Sequence, residues 1–436
     1  MNIEKLIMSD RYSNSEQLLE RALKSIPLGS QTFSKSMTQF PHGVSPYFAK
    51  KAKGARLWDV DGNEYIDFIN GLLSVSIGYA DGAILEAVKQ QIDNGVTFSL
   101  SHQLEIEVAE KLIDLVPCAE MVRFGKNGSD STSAAIRLAR AYTQKDVVLV
   151  CGYHGWQDWY IGSTTRNLGV PEATRSLTQV FKYNDIASFD TLVEQFKGQI
   201  AAVIMEPMNV EYPASGFLEH IRRVTKDENI VMVFDETITG CRFAKGGAQE
   251  LFCVIPDLAT FGKGIGNGFP LSAVMGKKEI MSLMEDIFYS GTFAGETSSL
   301  AAANVVLDKV KNEGVCEHLE TLGLELKQRV LKLIAQYDLE DYLDCVGHPS
   351  WSFLLFKGSK DITAFEMKTF YMQEMFKVGI LTFGTHNLSF AHTSEDIDSL
   401  LKHYEEFFMS LSECIKSGQL VDRLECDVLV PLFKVR

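Results

Sequence analysis

Four short apolar runs in the middle of the chain each end on a polar or glycine-rich turn. "EMVRF" runs into "GKNGSDST", "VVLVC" into "GYHG", "AAVIM" into "EP" and "IVMVF" into "DE". The last three lack the alternation of a half-exposed strand, so both of their faces are buried. Between them lie stretches with apolar residues three and four apart, such as "SAAIRLARAY" and "SGFLEHIRRVTKD", which is helical spacing. Strands alternating with helices predict an α/β domain built on a mostly parallel sheet. Ligands of such sheets sit beyond the carboxyl ends of the strands, so the residues just after each run are the ones to watch.

The flanks read differently. Residues 14–26 are expected to form an amphipathic helix, followed by a Gly-, Ser-, Thr- and Pro-rich loop from Pro27 to about Pro46. "ARLWDVDGNEYIDF" alternates on both sides of Asp61-Gly62, a hairpin pattern. "DGAILEAVKQQIDNG" and "LEIEVAEKLIDLV" are helical. Further on, "SWSFLLF" and "NLSFAHT" read as strands, and "EMKTFYMQEMF" as core. "SEDIDSLLKHYEEFFMSL" reads as a helix capped by Ser394. The division expected is an N-terminal segment (1–65) belonging to a small domain, a large domain (66–315) and a C-terminal α+β small domain (316–436).

Composition narrows the classes. Of 436 residues, 46% are hydrophobic and 23% charged, a globular balance. The net charge of −15 opposes binding to nucleic acid or to anionic membranes. The eight cysteines are scattered, with neither CxxC nor metal-ligand spacing, which suits a reducing compartment. The first 24 residues have no long apolar run, so a cytoplasmic protein without a signal segment is expected.

Candidate chemistry centres on "FGKGIGNGFP". Lys263 lies between Gly262 and Gly264, a turn that a bulky planar group can approach closely. Alone, this pattern describes an ordinary loop lysine. Asp235, 28 residues earlier at the end of "IVMVFD", changes the balance. A Schiff-base lysine and a carboxylate against a pyridine nitrogen are the minimal machinery of pyridoxal chemistry. "GKNGSDST" adds a polar turn opening a helix, where Gly128, Ser129 and free N–H groups favour a phosphate. Tyr153 and His154 follow a strand, and Tyr153 offers an aromatic face. Glu206, Asn209 and Glu211 follow another, and Thr292 is a further hydroxyl donor.

Taken in order, these motifs resemble the class III aminotransferases of fold type I, from "LWDVDGNEYIDF" to "AHTSEDID". The resemblance implies pyridoxal 5′-phosphate on Lys263, with Asp235 at its ring nitrogen and Tyr153 on its ring face. It implies that Gly128 and Ser129 bind the phosphate, that Thr292 reaches the phosphate of a neighbouring subunit in a homodimer, and that Asn209 stands near the ring oxygen. The small domain is then built from both termini. Within the class, "DETITGCRFAKGGAQ" and "IPDLATFGKG" are similar to the glutamate-1-semialdehyde aminomutase branch. Two places depart from it. "GSQTFSKS" lacks that branch's arginine, and Glu211 stands where it has Asn, as in ω-type transaminases whose Glu pairs with a mobile arginine. "PLGSQTFSK" and "GETSSLAAA" look instead like members found in surface-polysaccharide pathways, which implies a sugar acid as acceptor.

The expected reaction moves an amino group from L-glutamate to an aldehyde or keto group, with Ser30, Gln31 and Glu211 touching the substrate and no metal involved. The alternatives are an intramolecular aminomutase, a protein that binds the cofactor without catalysis, and a cofactor-free Schiff-base lyase. Arg222 and Arg242 are candidates for a carboxylate clamp only by lying near the motifs.

Overall fold

Runs of Val, Ile, Leu and Met without polar alternation become strands buried on both faces, and the computed structural model, which describes residues 11–430, shows this directly. In chain order the strands are β1 (Ala49–Lys53), β2 (Arg56–Asp59), β3 (Glu64–Asp67), β4 (Met121–Gly125), β5 (Val147–Cys151), β6 (Thr178–Val180) and β7 (Ile200–Met205). They continue as β8 (Val231–Asp235), β9 (Leu258–Phe261), β10 (Ser272–Gly276), β11 (Leu343–His348), β12 (Trp351–Phe356), β13 (Ile380–Leu381) and β14 (Thr385–Asn387).

The described residues form two units. One holds Leu73–Ser76 and Gly82–Glu317. Its seven strands are ordered β4-β10-β9-β8-β7-β5-β6. β6, β5, β7, β8 and β9 pair in parallel, and β10 runs antiparallel to β9 and β4. The expected α/β fold with a mostly parallel sheet is therefore present. Alternate residues feed two cores. Val148, Val150, Ala202, Ile204, Val231 and Val233 pack with the helix Gly128–Thr143. Leu149, Val203, Met205, Met232 and Phe234 pack with Phe189, Phe217 and Ile221 on the other face. Period-two burial on both sides is why these runs read as continuously apolar.

The other unit runs from the described N-terminal end to Leu72, takes in Ile77–Asp81 and resumes at His318. β2 and β3 form the hairpin expected around Asp61-Gly62, and β13 from the C-terminal region pairs in parallel with β3. Segments before and after the other unit in sequence thus contribute to one sheet of this unit. β11, β12 and β14 form a second, antiparallel sheet. Met367, Phe370, Tyr371, Met375 and Phe376 are buried, as expected of the aromatic stripe.

Two expectations need correction. The long C-terminal helix, Ser394–Ser417, is capped by Thr393 rather than Ser394. Thr393 Oγ1 accepts from Asp396 N–H and Asp396 Oδ2 accepts from Thr393 N–H, a reciprocal box that a cap one residue later would lose. "NLSFAHT" is not a strand beyond Asn387, because His392 Nδ1 accepts from Ser389 N–H at 2.9 Å and folds the segment into a turn. An unforeseen feature lies just past β3. Asn70, Gly71, Leu72 and Leu73 all have positive φ, one left-handed turn made mostly of non-glycine residues.

Candidate functional site

β5, β7 and β8 run in parallel and in register, with Cys151 opposite Met205 and Met205 opposite Phe234. Their carboxyl ends therefore deliver Tyr153-His154, Glu206 and Asp235 to one edge of the sheet. Asp235 closes β8 and is 5% exposed. Its Oδ2 meets His154 Nδ1 at 2.9 Å. Its Oδ1 accepts from Thr237 N–H at 3.1 Å, Thr237 Oγ1 at 2.6 Å and Thr260 Oγ1 at 3.2 Å. The other ring nitrogen of His154 lies 3.2 Å from the Cys151 carbonyl. Both ring nitrogens of His154 thus face oxygens, one of a carboxylate and one of a carbonyl. Burial pushes the Asp235 carboxyl up. The bond and charge of His154, the Thr237 hydroxyl and the charge of Lys263 outweigh it, so Asp235 titrates below its ordinary value and is an anion at neutral pH.

Lys263 follows β9, half-buried, at φ 38°. A non-glycine residue in this left-handed region costs about 1–2 kcal/mol. Its glycine neighbours are both closely packed, Gly264 more so than Gly262. A Cβ on Gly262 would lie 3.1 Å from Thr237 Cγ2, and one on Gly264 would lie 2.5 Å from Ser76 Oγ.

The helix Gly128–Thr143 starts beside this group. A Cβ on Gly128 would lie 3.0 Å from Thr237 Cγ2. Asn127 and Asp130 form a capping box, and Ser272 Oγ donates to the Asn127 carbonyl at 2.7 Å, which anchors the turn to β10. Thr132 Oγ1 donates to the His154 carbonyl at 2.8 Å. Gly155, at φ 106°, passes so close to Ser129 that a Cβ there would meet Ser129 Oγ. The helix start and the loop after β5 are thereby locked together.

Tyr153 is 39% exposed, and its ring meets that of Tyr160 edge-on with centroids 5.6 Å apart. Glu206 Oε2 accepts from Tyr153 N–H and from Asn209 Nδ2, both at 3.0 Å. Asn209 Oδ1 is buried with no hydrogen-bond partner among the described residues, an acceptor that a ligand's donor would satisfy. Glu206, Asn209 and Glu211 line a cavity of about 800 Å³ with Ser163, Thr164, Thr165, Asn167 and Lys182. Glu211 is exposed and makes no ion pair among the described residues.

Other candidates lie elsewhere. Thr292 is exposed and lines a second cavity, of about 320 Å³, with Lys126, Asp130 and Arg137. Ser30 and Gln31 belong to the other unit, where Ser30 Oγ accepts from Thr32 N–H and Gln31 is exposed. Arg222 is committed to Asp257 through two bonds of 2.7 and 3.0 Å, at the amino ends of β8 and β9. Arg242 is only 1% exposed and donates to Ser76 Oγ at 3.1 Å. Sequence reasoning missed Thr237, Thr260, Ser272 and Ser76. Thr237, two residues past Asp235 in "DETIT", carried the only local signal, that of a side chain folding back on a strand-end carboxylate.

Residues 39–347 match the family model described as aminotransferase class-III. The chain is 35% identical over 432 residues to a glutamate-1-semialdehyde 2,1-aminomutase of Citrifermentans bemidjiense, covering 92% of this chain and 99% of that one. It is 32% identical over 397 residues to a 3-aminobutyryl-CoA aminotransferase of Cloacimonas acidaminovorans, covering 89% and 94%. Among solved structures, the FumI protein of Sphingopyxis sp. MTA144, in its pyridoxal phosphate internal aldimine form, matches with a TM-score of 0.86 at 27% identity, covering 93% and 98%.

Proposed function

This chain belongs to the class III aminotransferases, enzymes that use pyridoxal phosphate, and on that premise we propose that it transfers an amino group from L-glutamate to the aldehyde or keto group of a small sugar acid. One observation carries the transaminase chemistry: a buried aspartate at the end of β8, held as an anion by His154, Thr237 and Thr260 within reach of the Lys263 charge.

The residues present fit the cofactor. Asn209 offers an unsatisfied buried oxygen, Gly155 leaves no space for a side chain against Ser129, and Gly128 sits tightly against Thr237 at the helix start. In this reading Lys263 holds the cofactor, Asp235 keeps a proton on its ring nitrogen and Tyr153 covers a ring face. Gly128 and Ser129 hold its phosphate with Thr292 from a second copy, and Glu206, His154 and Asn209 orient these groups. When bound, the cofactor supplies an electron sink for the pair left at the substrate carbon. Lys263 as a free amine then takes and returns the proton at that carbon. The Asp235 anion is preorganised before substrate arrives, so no solvent has to rearrange as charge develops. A homodimer is supported by the exposed loop around Thr292, where Phe288 and Phe293 are 83% and 61% exposed. We place the protein in the cytoplasm on the strength of its scattered thiols.

The acceptor assignment, of the type 3,8-dideoxy-8-oxo-manno-octulosonate, is supported by the cavity beside Glu206. Ser163, Thr164, Thr165 and Asn167 give it a wall of hydroxyl and amide groups, and Lys182 is the one cation among its lining residues. Hydroxyls suit a polyol and the lysine suits a carboxylate. Lys182→Ala should raise KM for an anionic acceptor about tenfold with kcat little changed; an unchanged KM removes the carboxylate from this cavity.

The aminomutase reading is favoured by the 35% identity to the Citrifermentans bemidjiense protein. Adding L-glutamate to loaded protein without acceptor decides between them. Stoichiometric release of 2-oxoglutarate establishes the transaminase, whereas turnover of glutamate-1-semialdehyde with no such release establishes the aminomutase. Full activity in Lys263→Ala would sink both.

A further inference from the structure

The turn carrying Lys263 is gripped on two sides. Lys263 has a glycine before it and one after it, and each glycine makes room for one side chain. Thr237 packs on Gly262, and it also hydrogen-bonds Asp235. Ser76 packs on Gly264, and it accepts from Arg242 at 3.1 Å. Gly264 does not have a left-handed φ, so its need for glycine comes from Ser76 alone: an added Cβ would lie 2.5 Å from Ser76 Oγ and 3.4 Å from Ser76 Cβ. Ser76 is 4% exposed, in a four-residue stretch, Leu73–Ser76, that joins this unit while its flanks belong to the other. Val75 of the same stretch lies 3.7 Å from a Cβ built on Gly268, at the far end of the turn.

We infer that Ser76, oriented by the buried Arg242, is a positioning residue for Lys263, the stop against which the reactive lysine's turn is set. Thr237 does the same from the other side and links the lysine to Asp235. The left-handed conformation of Lys263 is not one the residue adopts by preference, so it is held from outside, by the packing on Gly262 and Gly264 and by the bond of Ile265 N–H to the Gly262 carbonyl. Arg242, already 1% exposed, gains a role from this that requires no access to substrate. Burial lowers its guanidinium to about 10, which still leaves it cationic at neutral pH and a strong donor to Ser76. This inference rests on the reading of Lys263 as the lysine that holds the cofactor.

The test uses the full-length protein loaded with pyridoxal phosphate, in wild type, Gly264→Ala, Ser76→Ala and the double variant. Three quantities are read: the site of cofactor attachment after borohydride reduction and peptide mapping, the pH midpoint of the visible absorbance of attached cofactor, and kcat against KM. In Gly264→Ala the midpoint should move by about one pH unit, and kcat should fall about tenfold or more with KM little changed. Ser76→Ala should show a smaller shift, since it loosens the turn rather than displacing it. Joining the two removes the oxygen that the new methyl would strike, so the double variant should recover most of the loss. A double variant as impaired as the product of its parents, or a midpoint that moves in none of the three, overturns the inference. If Gly264→Ala does not fold, Ser76→Ala alone still decides, because it only removes an atom: an unmoved midpoint there counts against us. Cofactor trapped on a residue other than Lys263 in the wild type is a different failure, that of the underlying reading.

Discussion

Two buried aspartates stand at opposite ends of neighbouring strands and have opposite lives. Asp257 precedes β9. Arg222 binds it through Nη1 and Nη2, Lys277 Nζ lies 2.6 Å away, and Met232 N–H donates at 2.9 Å. Its charge is neutralised from within the protein. Asp235 ends β8, and its oxygens meet two hydroxyls, one amide and one imidazole, with no hydrogen bond or ion pair to an arginine or lysine among the described residues. Both carboxyls are held below their ordinary range against the cost of burial. The first is finished as an ion pair with two basic side chains, and the second is held by hydrogen bonds with the charges of His154 and Lys263 near it. Burial and a low pKa therefore do not mark a functional carboxylate. The identity of its partners does.

Exchanging each carboxylate for an amide separates the two roles. Asp235→Asn should lower kcat by at least about 10²-fold while leaving the melting temperature within a few degrees; a variant with wild-type kcat would end the assignment of Asp235 to the ring nitrogen. Asp257→Asn should do the reverse. We expect a loss of about 2–3 kcal/mol in a denaturant titration, below the usual figure for a broken buried pair because Lys277 is 42% exposed, with kcat per folded molecule unchanged. The Asp257 contribution also has a pH signature. A depressed folded pKa means that it is present above pH 3.8 and lost as pH falls below that value, so the variant should have a flatter acid limb.

Glu236, beside Asp235 in sequence, sharpens the contrast from the other direction. Burial pushes it up to about 7, against hydrogen bonds from Thr239, Ala248 and Gln249. The folded state then binds the extra proton between pH 4.5 and about 7, so stability falls as pH rises through that window. Glu236→Gln should remove this slope in a melting-temperature series, and an unaltered slope would place its origin elsewhere. The smallest effect concerns Lys263. Lys263→Gly relieves a left-handed non-glycine residue and should stabilise the cofactor-free protein by about 1 kcal/mol, measured by chemical denaturation.

How far the sequence could be read follows from where each signal resides. Tyr153, Glu206 and Asp235 were legible because each ends an unbroken apolar run, and parallel strands necessarily bring such ends to one edge. The helix opening at Gly128 was legible from the same logic. The bonds from Thr260 to Asp235 and from Ser272 to Asn127 were not, since they join residues 25 and 145 apart whose pairing depends on strand order. Nor was the excursion of Leu73–Ser76 between units, because "LLSVS" is an apolar stretch like others. Arg222 shows the converse hazard. It lies close to the motifs in sequence, and the helix Phe217–Asp227 carries it to the amino ends of the strands, among groups that fix the fold.

The left-handed lysine has a consequence for how such a protein would age under weak selection. Its torsion is a standing debt that any glycine or asparagine at position 263 would cancel, so drift toward greater robustness and drift toward inactivity point the same way at this codon. A library of variants ranked by heat resistance of the apoprotein should be enriched in chains that have surrendered their lysine, and a screen for sturdier versions has to be run with the cofactor in place.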